Sequence, residues 1–160
     1  MELEIDVEHW PDGEWLALAS RAADAAAKVE PALANQRLEA SILFTSDAEV
    51  HELNRDWREK DKPTNVLSFP MLEREELLDL VPDGPPMLLG DIALAHETCA
   101  REAAEKGVAL EAHASHLVVH GLLHLAGLDH EISPQDAQEM EALEVKALAL
   151  LGLPDPYGDA

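Results

Sequence analysis

Cysteine is almost missing from this chain, and the lone Cys99 excludes an internal disulfide. Its expected place is a small buried position on a helix, in a reducing compartment. No apolar run reaches the roughly 18 residues that span a bilayer. The N-terminal stretch Met1-Glu2-Leu3-Glu4-Ile5-Asp6 is acidic where a signal peptide is basic and then apolar, so a cytoplasmic location is expected. Positive charge is scarce as well, with 11 Lys and Arg against 33 Asp and Glu and a net charge of −22. Non-specific binding to phosphates needs local positive charge, so this balance argues against tight binding of naked nucleic acid. Internal repeats and low-complexity linkers are lacking too, and 160 residues are enough for one domain with a real core.

What basic charge there is gathers in one place. Arg55, Arg58, Lys60 and Lys62 fall close together, interleaved with Asp56, Glu59 and Asp61. The segment reads either as a phosphate contact or as a solvated helix end laced with ion pairs.

Along the chain, Leu3, Ile5 and Val7 alternate with acidic residues as a half-buried strand. Asp12 is placed to cap a helix over about 13–29, and Pro31 stops it. Leu38, Ala40, Ile42 and Phe44 alternate in a second strand. Ser46 and Glu49 form a capping-box pattern for a short helix expected to carry Val50, Leu53 and Trp57 inward. A polar loop over 60–65 feeds the short strand Val66–Phe69, and the acidic, proline-rich residues 71–87 read as a mobile excursion with one helical turn. A strand over 88–94, a helix over about 95–106 ending at Gly107, a histidine-bearing helix from about 109 and a last helix opened by Ser133-Pro134 complete the order. This succession predicts an α+β fold: a small mixed four-stranded sheet and about five helices, with a metal site at the end of a central buried helix.

The chemistry concentrates in His120-Gly-Leu-Leu-His124-Leu-Ala-Gly127-Leu-Asp129-His130. Residues 116–126 are apolar apart from histidines, so they predict a buried helix on which His120 and His124, at i and i+4, share a face. Gly127 suits the left-handed position that ends a helix and turns the chain, bringing His130 toward the same point. The spacing matches the metzincin zinc signature except that Gly121 stands where the proton-accepting glutamate belongs. Three protein ligands without a nearby cysteine favour a catalytic Zn2+ with one open position, although Asp129, Glu131 or His116 would serve to close it. An open ion lowers the pKa of bound water to about 7, so loss of the glutamate does not end hydrolytic chemistry. His113 and His116 continue the histidine band and read as supporting or core residues.

Together with Trp57-Arg58-Glu-Lys60-Asp-Lys62-Pro-Thr64-Asn65-Val-Leu-Ser68-Phe69-Pro70 and Leu89-Gly90-Asp91-Ile92, the histidine motif resembles the bacterial YbeY family of endoribonucleases and rRNA maturation factors. The resemblance runs over nearly the whole chain. It implies cleavage of single-stranded RNA, maturation of the small-subunit (16S) rRNA 3′ end, ribosome quality control, and contact with the small ribosomal subunit and its proteins or assembly factors. It also implies one zinc on His120, His124 and His130 and a functional arginine at Arg58. In that reading Arg58 clamps phosphate through its planar fork, with Lys60 and Lys62 as further substrate contacts, while Asp129 and His116 orient the ligands. Leu128 departs from the family, in which a tyrosine is frequent there. Two other classes use the same residues: a zinc peptidase, which lacks its glutamate here, and a non-catalytic ribosome-assembly module whose acidic surface suits basic proteins.

Overall fold

The computed structural model describes residues 1–128 and 133–157. Its elements run β1 (Glu2–Val7), α1 (Trp15–Val29), a 3-10 turn (Pro31–Ala34), β2 (Leu38–Thr45), α2 (Asp47–Arg58), β3 (Val66–Pro70), α3 (Arg74–Leu78), β4 (Met87–Ala95), α4 (His96–Lys106), α5 (Leu110–Leu125) and α6 (Pro134–Leu150). The strands form one mixed sheet in the order β1-β2-β4-β3. β1, β2 and β4 are parallel, and β3 runs antiparallel to β4. The α+β expectation holds, with α3 as the sixth α-helix.

Alternation decides which face of the sheet is covered. Ala40, Ile42 and Phe44 of β2 are buried on one face, where α1 and α5 join them in the main core. Ser41 and Leu43 point the other way and are only half-buried. On that second face α2 closes a small cluster of Val50, Leu67, Ala93 and Ala95. Gly90 is needed where β4 meets β3 and the end of α5: a Cβ there would lie 2.5 Å from the Phe69 carbonyl oxygen and 2.7 Å from Leu125 Cδ2. Cys99 is fully buried, and burial pushes its thiol up to about 12, which suits packing rather than nucleophilic chemistry.

Four local expectations change. Asp12 does not cap α1; the helix starts at Trp15, whose indole Nε1 donates to the Pro11 carbonyl at 2.8 Å and fixes the entry instead. Ser46 caps α2 by accepting from the Glu49 amide, but the Glu49 carboxylate takes the Thr45 hydroxyl at 2.7 Å and does not return to the cap. Trp57 is not inward. Burial falls along its face of α2 from Val50 through Leu53 to Trp57, which is 75% exposed. The 71–87 segment is also tied down. Leu77 is buried, Glu73 and Glu76 form a reciprocal capping box, and Arg37 donates to the carbonyls of Val81 and Pro85.

The β3 entry is held by a chain of polar contacts. Asn65 Nδ2 donates to Glu102 Oε1 at 2.9 Å, and His113 Nε2 meets the same oxygen at 2.8 Å. Burial pushes the Glu102 carboxyl up, but the hydrogen bonds from His113 and Asn65 outweigh it and leave the group below its usual range. His113, buried in α5, is held below 6.5 because burial penalises the imidazolium more than Glu102 favours it. Both groups therefore bind protons more readily in the unfolded chain, and the stability they provide is full above the unfolded values and lost as pH falls. Wild type should melt above His113→Gln by a margin that is largest near pH 7 and narrows by about pH 5, as followed by circular dichroism. A margin that widens on acidification would show instead that a charged His113–Glu102 pair forms.

Candidate metal centre

α5 is buried on nearly every side, which explains why its sequence is apolar almost all round and why its histidines are exceptions that need partners. His120 and His124 lie one turn apart and less deeply buried than the residues around them. Each has its Nδ1 engaged. His120 Nδ1 meets Glu144 Oε1 of α6 at 3.1 Å, and a 2.8 Å hydrogen bond joins His124 Nδ1 to the Ser68 hydroxyl of β3. A metal-ligating histidine that uses Nε2 fixes its tautomer and ring plane through such a bond at the opposite nitrogen. The donor set therefore fits a divalent ion held through Nε2 of both rings. Asp129, His130 and Glu131 lie outside the described residues, so the expected third ligand and the expected orienting carboxylate are not placed here.

Glu144 is the residue that sequence reasoning missed. Its side chain is 1% exposed, and Oε1 alone accepts from His120, from His116 Nε2 at 2.8 Å and from the Tyr157 hydroxyl at 2.9 Å. Burial alone would push this carboxyl up; the hydrogen bonds from His116 and His120 reverse the shift and hold it down at about 2. Charge on Glu144 raises Tyr157 in turn, after burial, which is the larger cause. His116 is thus committed to Glu144 rather than to closing the metal site, and its buried Nδ1 has no hydrogen-bond partner among the described residues. A signal was present: Glu144 falls on the apolar stripe between Met140 and Ala147–Leu148, where a carboxylate has no reason to be without buried donors. Ser68 gave a similar one, as the polar residue inside Val66–Phe69.

Gly121 has a physical cause. A Cβ at this position would sit 2.9 Å from Ile92 Cδ1 and 3.3 Å from two more atoms of the same buried side chain. A side chain at 121 would have to displace the end of the Ile92 side chain. Gly127 ends α5 at φ 92°, as its sequence position suggested, and Arg74 packs directly on it. The Arg74 guanidinium donates to the Ala126 carbonyl at 2.8 Å and pairs with Glu30 at 3.2 Å. The segment that read as loose excursion therefore clamps the turn leading out of the histidine helix.

The basic cluster divides. Arg55 is held by Asp56 at 3.1 Å and Glu52 at 3.8 Å, as a solvated helix end would be. Arg58, Lys60 and Lys62 are exposed and make no ion pair with a described residue. Their loop is nonetheless built. Glu59 ends α2 in the left-handed region at φ 57°, the Lys60 amide donates to Asn54 O at 3.1 Å, and buried Asn54 donates to Lys62 O at 2.9 Å. A second group with metal-ligand geometry among the described residues, Glu8, His9 and Glu49, lies elsewhere, with Glu8 and Glu49 both facing the Thr45 hydroxyl.

Removing the clamp tests the geometry without touching a histidine. Arg74→Met should destabilise the fold by about 1–3 kcal/mol, because it leaves the Ala126 carbonyl and the Glu30 carboxylate without their donor. Arg74→Lys should recover part of the loss in thermal melts.

Residues 4–152 match the family model described as Endoribonuclease YbeY. Among curated proteins, an "Endoribonuclease YbeY" of Erythrobacter litoralis is 69% identical, the alignment covering 99% of each chain. One of Novosphingobium aromaticivorans is 61% identical over 97% of this chain and 95% of its own. In three dimensions the solution structure of TM1509 from Thermotoga maritima aligns with a TM-score of 0.56 over 98% of this chain and all of that one, at 22% identity, which is a likeness of fold. With the match running over nearly the full length at this identity, the chain belongs to the YbeY family.

Proposed function

We propose that this protein is a zinc-dependent endoribonuclease that cuts single-stranded RNA, with His120, His124 and His130 as the ligands and Arg58 as the phosphate clamp. The observation that carries the reading is the pair of i, i+4 histidines whose Nδ1 atoms are held by Glu144 and Ser68. Its relatives' name supports the reaction class. The whole chain acts as one domain in the cytoplasm, in maturation of the small-subunit rRNA 3′ end, and its acidic surface suits contact with basic proteins of the small ribosomal subunit.

The ion, when bound, supplies Lewis acidity toward a phosphoryl oxygen and toward the attacking oxygen. The chain's own residues do the rest. Glu144 and Ser68 fix the planes of the two rings, and His116 and Tyr157 keep the Glu144 carboxylate charged in a buried place. Arg58 offers a planar fork that matches two phosphate oxygens, and Lys60 and Lys62 offer point charges beside it. Peptide hydrolysis is disfavoured, because Gly121 stands where a zinc peptidase has its proton-accepting glutamate.

Purified protein should carry about one zinc per chain. His124→Ala should lose both the metal and cleavage of a single-stranded RNA oligonucleotide. Retained cleavage in a metal-free variant would sink the reading. Glu144→Ala should weaken zinc affinity by about 10- to 100-fold, measured by competition with a chromogenic chelator. Arg58→Ala should keep the metal and the melting temperature while slowing cleavage by about 100-fold or more, and Arg58→Lys should restore only part. Unchanged cleavage in Arg58→Ala would remove that residue from the mechanism.

A further inference from the structure

Two of the three tryptophans, Trp10 and Trp15, are buried at 7% and 3% exposure, whereas Trp57 stands 75% exposed. An indole left in water is costly apolar surface unless something covers it in use. Trp57 forms one wall of a groove of about 570 Å³ on the sheet face that α1 and α5 do not cover, together with Leu53, Phe69 and Met71. Met71, itself 59% exposed, also lines the hollow that contains His124. The groove and the histidine site therefore adjoin.

The charged residues that line the groove are acidic, and the cations stand next to it in the chain. Its floor carries Asp91, which accepts from the Ser41 hydroxyl, and its rim carries Asp6 and Glu8. Outside the lining, Arg58 follows Trp57 in the chain, with Lys60 and Lys62 beyond it and Glu59 and Asp61 between them; the three cations make no ion pair among the described residues. An acidic floor repels phosphate but accepts from exocyclic amino groups, while the neighbouring cations attract phosphate. A nucleotide has that polarity, with its base toward the floor and its backbone toward the cations.

We infer that Trp57, with Leu53, Phe69 and Met71, is a stacking platform for an unpaired base of the RNA substrate, set beside Arg58 so that the phosphate of the same strand reaches the cationic loop. The platform selects single strands, because a base inside a duplex has both faces covered and cannot lie on the indole. This rests on the endoribonuclease reading and adds to it the means by which unpaired RNA is recognised.

The test follows tryptophan emission of the full-length protein during titration with a short single-stranded oligoadenylate bearing 2′-O-methyl sugars. Quenching by the single strand and none by its duplex is expected. Trp57→Ala should abolish the quench and weaken binding by about 5- to 100-fold, the range of about 1–3 kcal/mol for one base stacked on an aromatic ring. Trp57→Phe should bind within a few fold of wild type. Equal binding by wild type and Trp57→Ala, or equal quenching by duplex, overturns the platform. So does quenching by a lysine-rich apolar peptide where the oligonucleotide gives none, which would make the groove a protein-docking surface. Cleavage of unmodified RNA is measured alongside. A wild type that cleaves while Trp57→Ala keeps its KM sinks the platform alone. A wild type that does not cleave, yet binds through Trp57, sinks the nuclease reading and leaves the platform standing.

Discussion

The distance between α5 and the sheet is the constraint on which the rest of the molecule depends. Two glycines permit it: Gly121 lets Ile92 of β4 lie against the helix backbone, and Gly90 lets Leu125 and the Phe69 carbonyl close over β4. Protein interiors pack without spare volume, so a side chain at either place would lift the helix off the strands. The hydrogen bond from β3 to His124 has a reach of one serine side chain, and it exists only because the helix sits this low. Packing and site geometry are one property here.

A second dependence runs through the buried Glu144. An ionised carboxylate without partners in such a place would cost several kcal/mol. Three donors from α5 and the chain beyond α6 converge on one of its oxygens. That arrangement serves the fold and the rings together, since the groups that satisfy the carboxylate also fix how His120 is presented. Arg74 does comparable work, satisfying the end of α5 and the buried Glu30 at once.

Much of this was legible in the residues. Alternation marked β1 and β2, Ser133-Pro134 opened α6 as expected, and the spacing of His120, His124 and Gly127 announced a helix that ends in a left-handed turn. What escaped was long-range. Glu144 lies 24 positions beyond His120 in the chain, and a carboxylate on a mostly apolar helix gives no sign of which donors it meets. Arg74 sits in a stretch whose acidic, proline-rich composition suggested looseness, while its partners, Glu30 and Ala126, stand 44 and 52 positions away. Trp57 misled for another reason. Its periodicity was that of a buried stripe, but periodicity describes the helix and not how closely its neighbours pack against each turn. Spacing alone proposed no role for Arg58; its place in the proposed mechanism comes from the family resemblance.

Because Tyr157 and His116 both lean on Glu144, the support for His120 is assembled from parts made far apart in time. During synthesis the sheet and α5 emerge well before α6, and domains begin to pack as soon as enough chain is available. Until residue 144 appears, His116 and His120 face a core that has no carboxylate for them; until residue 157 appears, Glu144 lacks its third donor. The ring orientation that suits a metal is therefore a late event in the life of each molecule, reached only when α6, whose Glu144 meets both rings, has docked on α5.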